Sequence, residues 1–163
     1  MKYLLLARHA ESDLNHMDFK DFDRPLNLIG ESDATLMANQ LLKSNINLDY
    51  IISSGANRAY STSRIIAKEI DYPLKSIEIN NDIYHSSEQV MLNIINSVSD
   101  KHQCVMLTGH NPTFHHLSQL LSNETILKFP TCSMFSIEFN VKSWVEVYKG
   151  TKMFMIYPEL FKQ

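Results

Sequence analysis

Chemistry in this chain gathers where three short apolar runs give way to charged or hydroxyl residues. The first is Leu4-Leu5-Leu6-Ala7-Arg8-His9, the second ends in Ser53-Ser54-Gly55-Ala56-Asn57-Arg58, and the third in Thr108-Gly109-His110-Asn111. Arginine carries a planar fork of N–H donors that matches phosphate oxygens and keeps its charge at any working pH. A neutral imidazole beside it can act as nucleophile or proton carrier. A phosphoryl group in transfer spreads charge over three equatorial oxygens, and fixed donors aimed at them lower the barrier. Two histidines with several arginines therefore suit attack of an imidazole nitrogen on phosphorus, followed by hydrolysis of the phosphohistidine. Guanidiniums supply the compensating charge, so no metal or other cofactor is called for; the sequence shows neither an aspartate cluster nor a glycine-rich Walker loop. Arg24, whose approach Pro25 would stiffen, is a further candidate from the long first loop.

These groups meet only if the elements that carry them align. Residues 2–7, 50–53 and 104–108 read as buried strands, and 76–79 as a weak one. Apolar residues at helical spacing predict helices over 31–43 and 58–70, from a Ser86 or Ser87 cap, and after Pro112. Strands separated by helices require crossover connections, which makes the sheet mostly parallel and covers both faces. The tail alternates apolar with polar at 134–140 and 144–149, predicting antiparallel strands joined by a short turn, with 153–157 as a possible further strand. The expected fold is α/β: a three-layer α/β/α sandwich, its mostly parallel central sheet extended by a C-terminal antiparallel hairpin. No repeat or linker interrupts it, so residues 1–163 read as one domain. In such sheets ligands bind at the carboxyl ends of the strands. Gly55 and Gly109, two of the four glycines, sit where the chain must turn sharply or let a ligand reach its backbone.

Composition narrows the field. The formal charge of −3 leaves no general basic footprint for nucleic acid. No apolar segment approaches the roughly 20 residues of a membrane span. Arg8 and His9 interrupt the opening apolar run before any signal-type cleavage site. Cys104 and Cys132 lie in apolar contexts and read as buried free thiols of a reducing cytoplasm. His16 and His102 read as surface residues; of His115 and His116, one is expected to pack or cap and the other to face water. Their spacing is not that of a zinc hydrolase, so no metal site is expected. Asp13, Asp18, Asp21 and Asp23 read as a solvated loop, and Met91, Met106, Met134, Met153 and Met155 as core filler.

Taken in order, Arg8-His9-Ala10, Asn15, Arg24-Pro25-Leu26 before Gly30, Ser53-Ser54 ahead of Arg58-Ala59, and Gly109-His110-Asn111-Pro112 resemble the histidine phosphatase superfamily with its phosphoglycerate mutase-like fold, in particular the short phosphohistidine phosphatases of the SixA type. The resemblance spans nearly the whole chain. It implies that His9 is the phosphorylated nucleophile and that Arg8, Arg24 and Arg58 bind phosphate. It further implies that His110 contacts the phosphoryl group and that Asn15 lines the pocket. In place of the family's usual glycine stands Ala10, a small residue that many of its short members also carry. Larger members place a general-acid glutamate after the third strand. Here the stretch is Ile83-Tyr84-His85, with Glu88 one turn on, so His85 or water is left to donate a proton.

The missing acid bears on substrate. An alkoxide leaving from a phosphate ester gains much from an acid, whereas a protonated imidazole leaves far more easily. The favoured substrate is therefore a phosphohistidine on a protein, such as a phosphorelay or phosphotransferase component. The rivals are a small-molecule phosphomonoesterase on the same site and a non-catalytic phosphoryl-binding module.

Overall fold

Leu4-Leu5-Leu6-Ala7 is apolar on successive residues because both faces of its strand are covered. Leu4 and Leu6 pack with Phe114, Leu117, Phe135 and Trp144, while Leu5 and Ala7 pack with Ala34, Met37, Leu41 and Ile66. The computed structural model describes residues 1–14 and 17–163 of the chain. In chain order it contains β1 (Lys2–Arg8), α1 (Leu28–Lys43), β2 (Tyr50–Ser53), α2 (Asn57–Glu69), β3 (Glu78–Ile79), α3 (Glu88–Asn96), β4 (Cys104–Gly109), α4 (Thr113–Ser122), β5 (Met134–Phe139) and β6 (Thr151–Ile156). Among the described residues one six-stranded sheet runs β3-β2-β4-β1-β5-β6. Its first four strands are parallel, and β5 and β6 extend it antiparallel beside β1. Helices α1 and α2 cover one face, α3 and α4 the other. The three-layer α/β/α arrangement is the one expected from the alternation of strands and helices.

Four local expectations differ. Helix α1 begins at Leu28 rather than Glu31, because the Asn27 side chain accepts the Gly30 N–H at 2.8 Å and caps the first turn. Leu28 and Ile29 are exposed there, which hides that turn from apolar periodicity. The stretch 144–149 is not a strand. Trp144–Glu146 forms a single 3-10 turn: Glu146 caps Ser143 N–H at 3.0 Å, and the Asp100 carboxylate accepts Trp144 N–H at 2.8 Å. Trp144 is fully buried against the α3–α4 face, and β5 pairs instead with Thr151–Ile156. Met153 therefore sits on the edge strand, 45% exposed, and is not core filler. Nor is His102 a simple surface residue: its ring stacks on Tyr50 at 4.1 Å and faces Asp49 at 3.5 Å.

Neither Gly55 nor Gly109 has a positive φ. A Cβ on Gly55 would lie 1.9 Å from Asn81 Oδ1, and one on Gly109 2.5 Å from the Phe114 ring. The bare backbones admit neighbouring side chains, not a sharp left-handed turn. Gly30 meets backbone instead: its Cβ would fall 2.1 Å from the Glu11 carbonyl oxygen. Since that carbonyl cannot rotate away like a side chain, Gly30→Ala is expected to cost about 1–3 kcal/mol through forced separation of α1 from the segment after His9. A urea-unfolding midpoint equal to that of the wild type would contradict this.

Candidate active site

Parallel pairing sets the site. Ala7 and Ser53 both pair with Thr108, so β1, β2 and β4 end at one level on one rim of the sheet. His9 follows β1 and His110 follows β4, and their rings lie 5.2 Å apart. Arg58, in the first turn of α2, reaches back so that its Nε–H donates to His9 Nε2 at 3.4 Å. The backbone beneath is tied on several sides. His9 N–H donates to Gly109 O at 3.0 Å, and Cys132 N–H donates to His9 O at 3.0 Å. Thr62 Oγ1 accepts Ala10 N–H at 2.9 Å while donating to Arg58 O at 2.7 Å, which links α2 directly to the His9-Ala10 turn.

Hydrogen bonding specifies the chemistry of each ring. His9 Nδ1 lies 2.7 Å from Ala10 O. A carbonyl only accepts, so Nδ1 carries the hydrogen and Nε2 is unprotonated, its lone pair accepting the long bond from Arg58 Nε–H. Burial, then the charges of His110, Arg58 and Arg8, overcomes the Ala10 hydrogen bond and pushes His9 down to about 3. His110 is likewise pushed down to about 3, by burial first and then by Arg58. Both imidazoles are thus neutral at ordinary pH. Arg8 Nη1–H donates to Phe129 O at 3.0 Å, whereas Arg8 Nε and His110 Nδ1 are buried with no partner among the described residues. Orphaned buried donors are costly unless a ligand uses them. With the His110 ring 5.2 Å from that of His9 and the Arg8 charge acting on His9, such atoms could serve a tetrahedral oxyanion.

The other sequence candidates fall at different depths. Arg24 is buried but committed to its own loop: Nη1–H reaches Ser12 and Asp13, and Nη2–H reaches Asp21 at 3.0 Å. His85 is exposed and its ring lies tilted against Tyr84 at 3.9 Å, and Tyr84 in turn lies 5.5 Å from His110. It therefore belongs to the rim. Glu88 faces His116 at 3.0 Å and stays outside the site. His115 packs on the Phe129 ring and bonds Ile126 O, whereas His116 is exposed. Asn15 and His16 lie outside the described residues.

Sequence reasoning missed Asp21. Far from being merely solvated, its carboxylate accepts from Arg24, from Arg58 at 3.2 Å and from the Tyr84 hydroxyl, and its carbonyl accepts Arg58 Nη1–H at 2.7 Å. The Tyr84 hydrogen bond and the two guanidiniums hold this acid well below the usual carboxylate range. Phe22 meets Tyr84 edge-on at 5.0 Å beside it. The available signal was local: Asp21 precedes Arg24 by three residues, a spacing that closes one turn. Among the described residues no group of three or more His, Cys, Asp or Glu is placed to hold a metal ion.

The fold and site define an α/β protein with two neutral imidazoles and the guanidiniums of Arg8 and Arg58 gathered at the carboxyl rim of its sheet. The model for the histidine phosphatase superfamily (branch 1) matches residues 4–84, and the chain belongs to that superfamily. That membership supports phosphatase activity. The protein histidine phosphatase SixA complexed with tungstate superposes with a TM-score of 0.85 over 98% of this chain and 99% of that one, at 21% identity. A mycobacterial glucosyl-3-phosphoglycerate phosphatase superposes at 0.71 over 94% and 98%, at 14% identity. Likenesses this distant show the shared phosphoglycerate mutase-like fold. An uncharacterized chloroplastic protein of Arabidopsis thaliana is 28% identical over 153 residues, covering 89% of this chain and 70% of that protein. Among the described residues no helix is long and apolar enough to cross a membrane.

Two outcomes follow from the charges. Unfolded histidine titrates near pH 6.5, whereas folded His9 and His110 resist protonation down to about 3. The unfolded chain therefore binds more protons between those values. Stability is whole above pH 6.5 and falls as pH drops toward 3, by up to ~1.4 kcal/mol per pH unit for each ring. Urea midpoints at pH 7.5 and 5.0 should show this loss, reduced in His9→Gln; equal slopes in the two proteins would contradict it. Asp21→Asn, by releasing two guanidiniums from a competing carboxylate, is expected to tighten tungstate binding about two- to fivefold in calorimetry. Weaker binding would show that the carboxylate aids the anion.

Proposed function

We propose that this chain is a metal-independent phosphatase working through a phosphohistidine intermediate on His9, with phosphohistidine on a protein as its substrate. The observation that carries the reading is the unprotonated Nε2 of His9, set by the Nδ1–H bond to Ala10 O and engaged only by a long bond from Arg58, in a ring 5.2 Å from that of His110. His9 Nε2 forms a bond to phosphorus as the bond to the substrate imidazole nitrogen breaks, and that nitrogen takes the electron pair and a proton. Water then attacks phosphorus, the P–Nε2 bond breaks, and orthophosphate leaves as His9 regains its lone pair. Arg8, Arg58 and His110 hold the equatorial oxygens, charge stabilisation that elsewhere comes from a metal. Arg24 joins them once Asp21 yields to the incoming anion.

Support for the substrate class comes from the rim. Asp21 is held ionised and is no acid, so among the described residues His85 is left, with water, as a proton source, and an imidazole leaving group demands least of them. The tungstate bound to the solved SixA is an oxyanion of the kind this receptor would take. The buried free thiols of Cys104 and Cys132 fit a reducing cytoplasm, and residues 1–163 are read as one catalytic domain.

The test is phosphate release from a phosphohistidine peptide, from sugar phosphates and from nucleotides, with chelator present. Wild type should favour the peptide and accumulate an acid-labile phosphoenzyme, and His9→Ala should lose about 10³-fold or more in kcat. Preference for one small metabolite would overturn the substrate assignment. Binding without turnover would make the chain a phosphoryl-binding module, and loss of activity with chelator would overturn metal independence.

A further inference from the structure

Ser54 is the first residue past β2, and it is fully buried. Its backbone N–H donates to Thr108 O at 2.9 Å, fastening it beside the end of β4. The Ala56 N–H donates to Ser54 Oγ at 3.2 Å, and the same oxygen lies 2.8 Å from His110 Nε2. A buried hydroxyl has no water to take its hydrogen, and among the described residues Nε2 is the sole acceptor it reaches. If Nε2 itself carried a hydrogen, Ser54 Oγ would receive two and its own would be stranded. The satisfied arrangement has Oγ–H donating to Nε2, and a neutral ring with an accepting Nε2 bears its hydrogen on Nδ1. That Nδ1 is the buried, unpartnered atom already noted.

We propose that Ser54 is a positioning residue that fixes His110 as the Nδ1–H tautomer, so that this ring offers the phosphoryl oxygens an N–H rather than a lone pair. The inference rests on the reading of the site as a phosphoryl receptor. It explains why two neutral imidazoles 5.2 Å apart take different parts. In His9 the Nδ1–H is consumed by Ala10 O, and a lone pair is left for attack. In His110 the Nε2 lone pair is consumed by Ser54, and an N–H is left for holding charge. The other tautomer would turn a lone pair toward anionic oxygens and remove one donor from the transition state. Ser54 itself touches neither substrate nor the reacting atoms; it acts through His110.

The tautomer is read directly by ¹⁵N NMR of imidazole nitrogens at pH 7.5, with the His110 signals identified by their disappearance in His110→Gln. The expected wild-type result is a protonated Nδ1 and an unprotonated, hydrogen-bonded Nε2, with Nδ1 shifting when tungstate is added. In Ser54→Ala the two tautomers should mix, and kcat should fall by at least about tenfold, short of the 10²–10³ seen when such a donor is deleted outright. KM should change less than about threefold, and Ser54→Thr, which keeps the hydroxyl, should restore both tautomer and rate. A wild-type His110 protonated on Nε2 overturns the proposal, as does Ser54→Ala with tautomer and kcat unchanged. The spectrum needs no turnover. A wild type inactive on every phosphoryl substrate, with the Nδ1–H form present and tungstate-sensitive, would sink the proposed reaction and uphold the Ser54–His110 pairing.

Discussion

Thr108 is the register position on which the site depends. It pairs on one side with Ala7 and on the other with Ser53. Three parallel strands therefore stop together, and Arg8-His9, Ser54 and Gly109-His110 emerge at one height. A slip of one residue would send every side chain of the slipped strand to the opposite face. The double covering of β1 forbids such a slip, since Leu4 and Leu6 are required by one cluster and Leu5 and Ala7 by the other. Core packing thus fixes the distance between two imidazoles that lie a hundred residues apart in the chain.

Electrostatics then decides what the assembled groups can do. Arginines crowd two histidines in a buried place, and both burial and charge keep the rings neutral. Arg8 is itself lowered by burial and by Arg58. That accumulation of positive charge is balanced at the rim by Asp21, which Arg24 and Arg58 share. The first loop so carries both a cation of the receptor and an anion that neutralises it. On the proposed reading, an arriving phosphoryl group would meet buried donors on the inner side and an exchangeable internal carboxylate on the outer side, a preorganised arrangement of the kind that lowers barriers to charge development.

Much of this was legible in the residues alone. Continuous apolar runs ending in Arg-His, Ser-Ser-Gly and Gly-His identified the strands and their order of chemistry, because a strand buried on both faces cannot hide its composition. The start of α1 was not legible, since Leu28 and Ile29 face outward and Asn27 defines the turn through a single hydrogen bond. Trp144 misled for the opposite reason: alternation of apolar and polar residues is shared by a strand and by a 3-10 turn anchored on Asp100.

What the sequence by itself determined was the inventory and the frame: His9, His110 and Arg8 at strand ends and Arg58 just past one, in a mostly parallel sheet, because hydrophobic periodicity and crossover geometry are local or topological properties. Only the tertiary structure decided the roles available to those groups. Which nitrogen of each ring is free depends on Ala10 O and Ser54 Oγ, and whether Asp21 is solvated or drawn into the receptor depends on Arg58 and Tyr84. Those partners come from distant segments, and hydrogen bonds of a few ångströms leave no periodic trace in the order of residues.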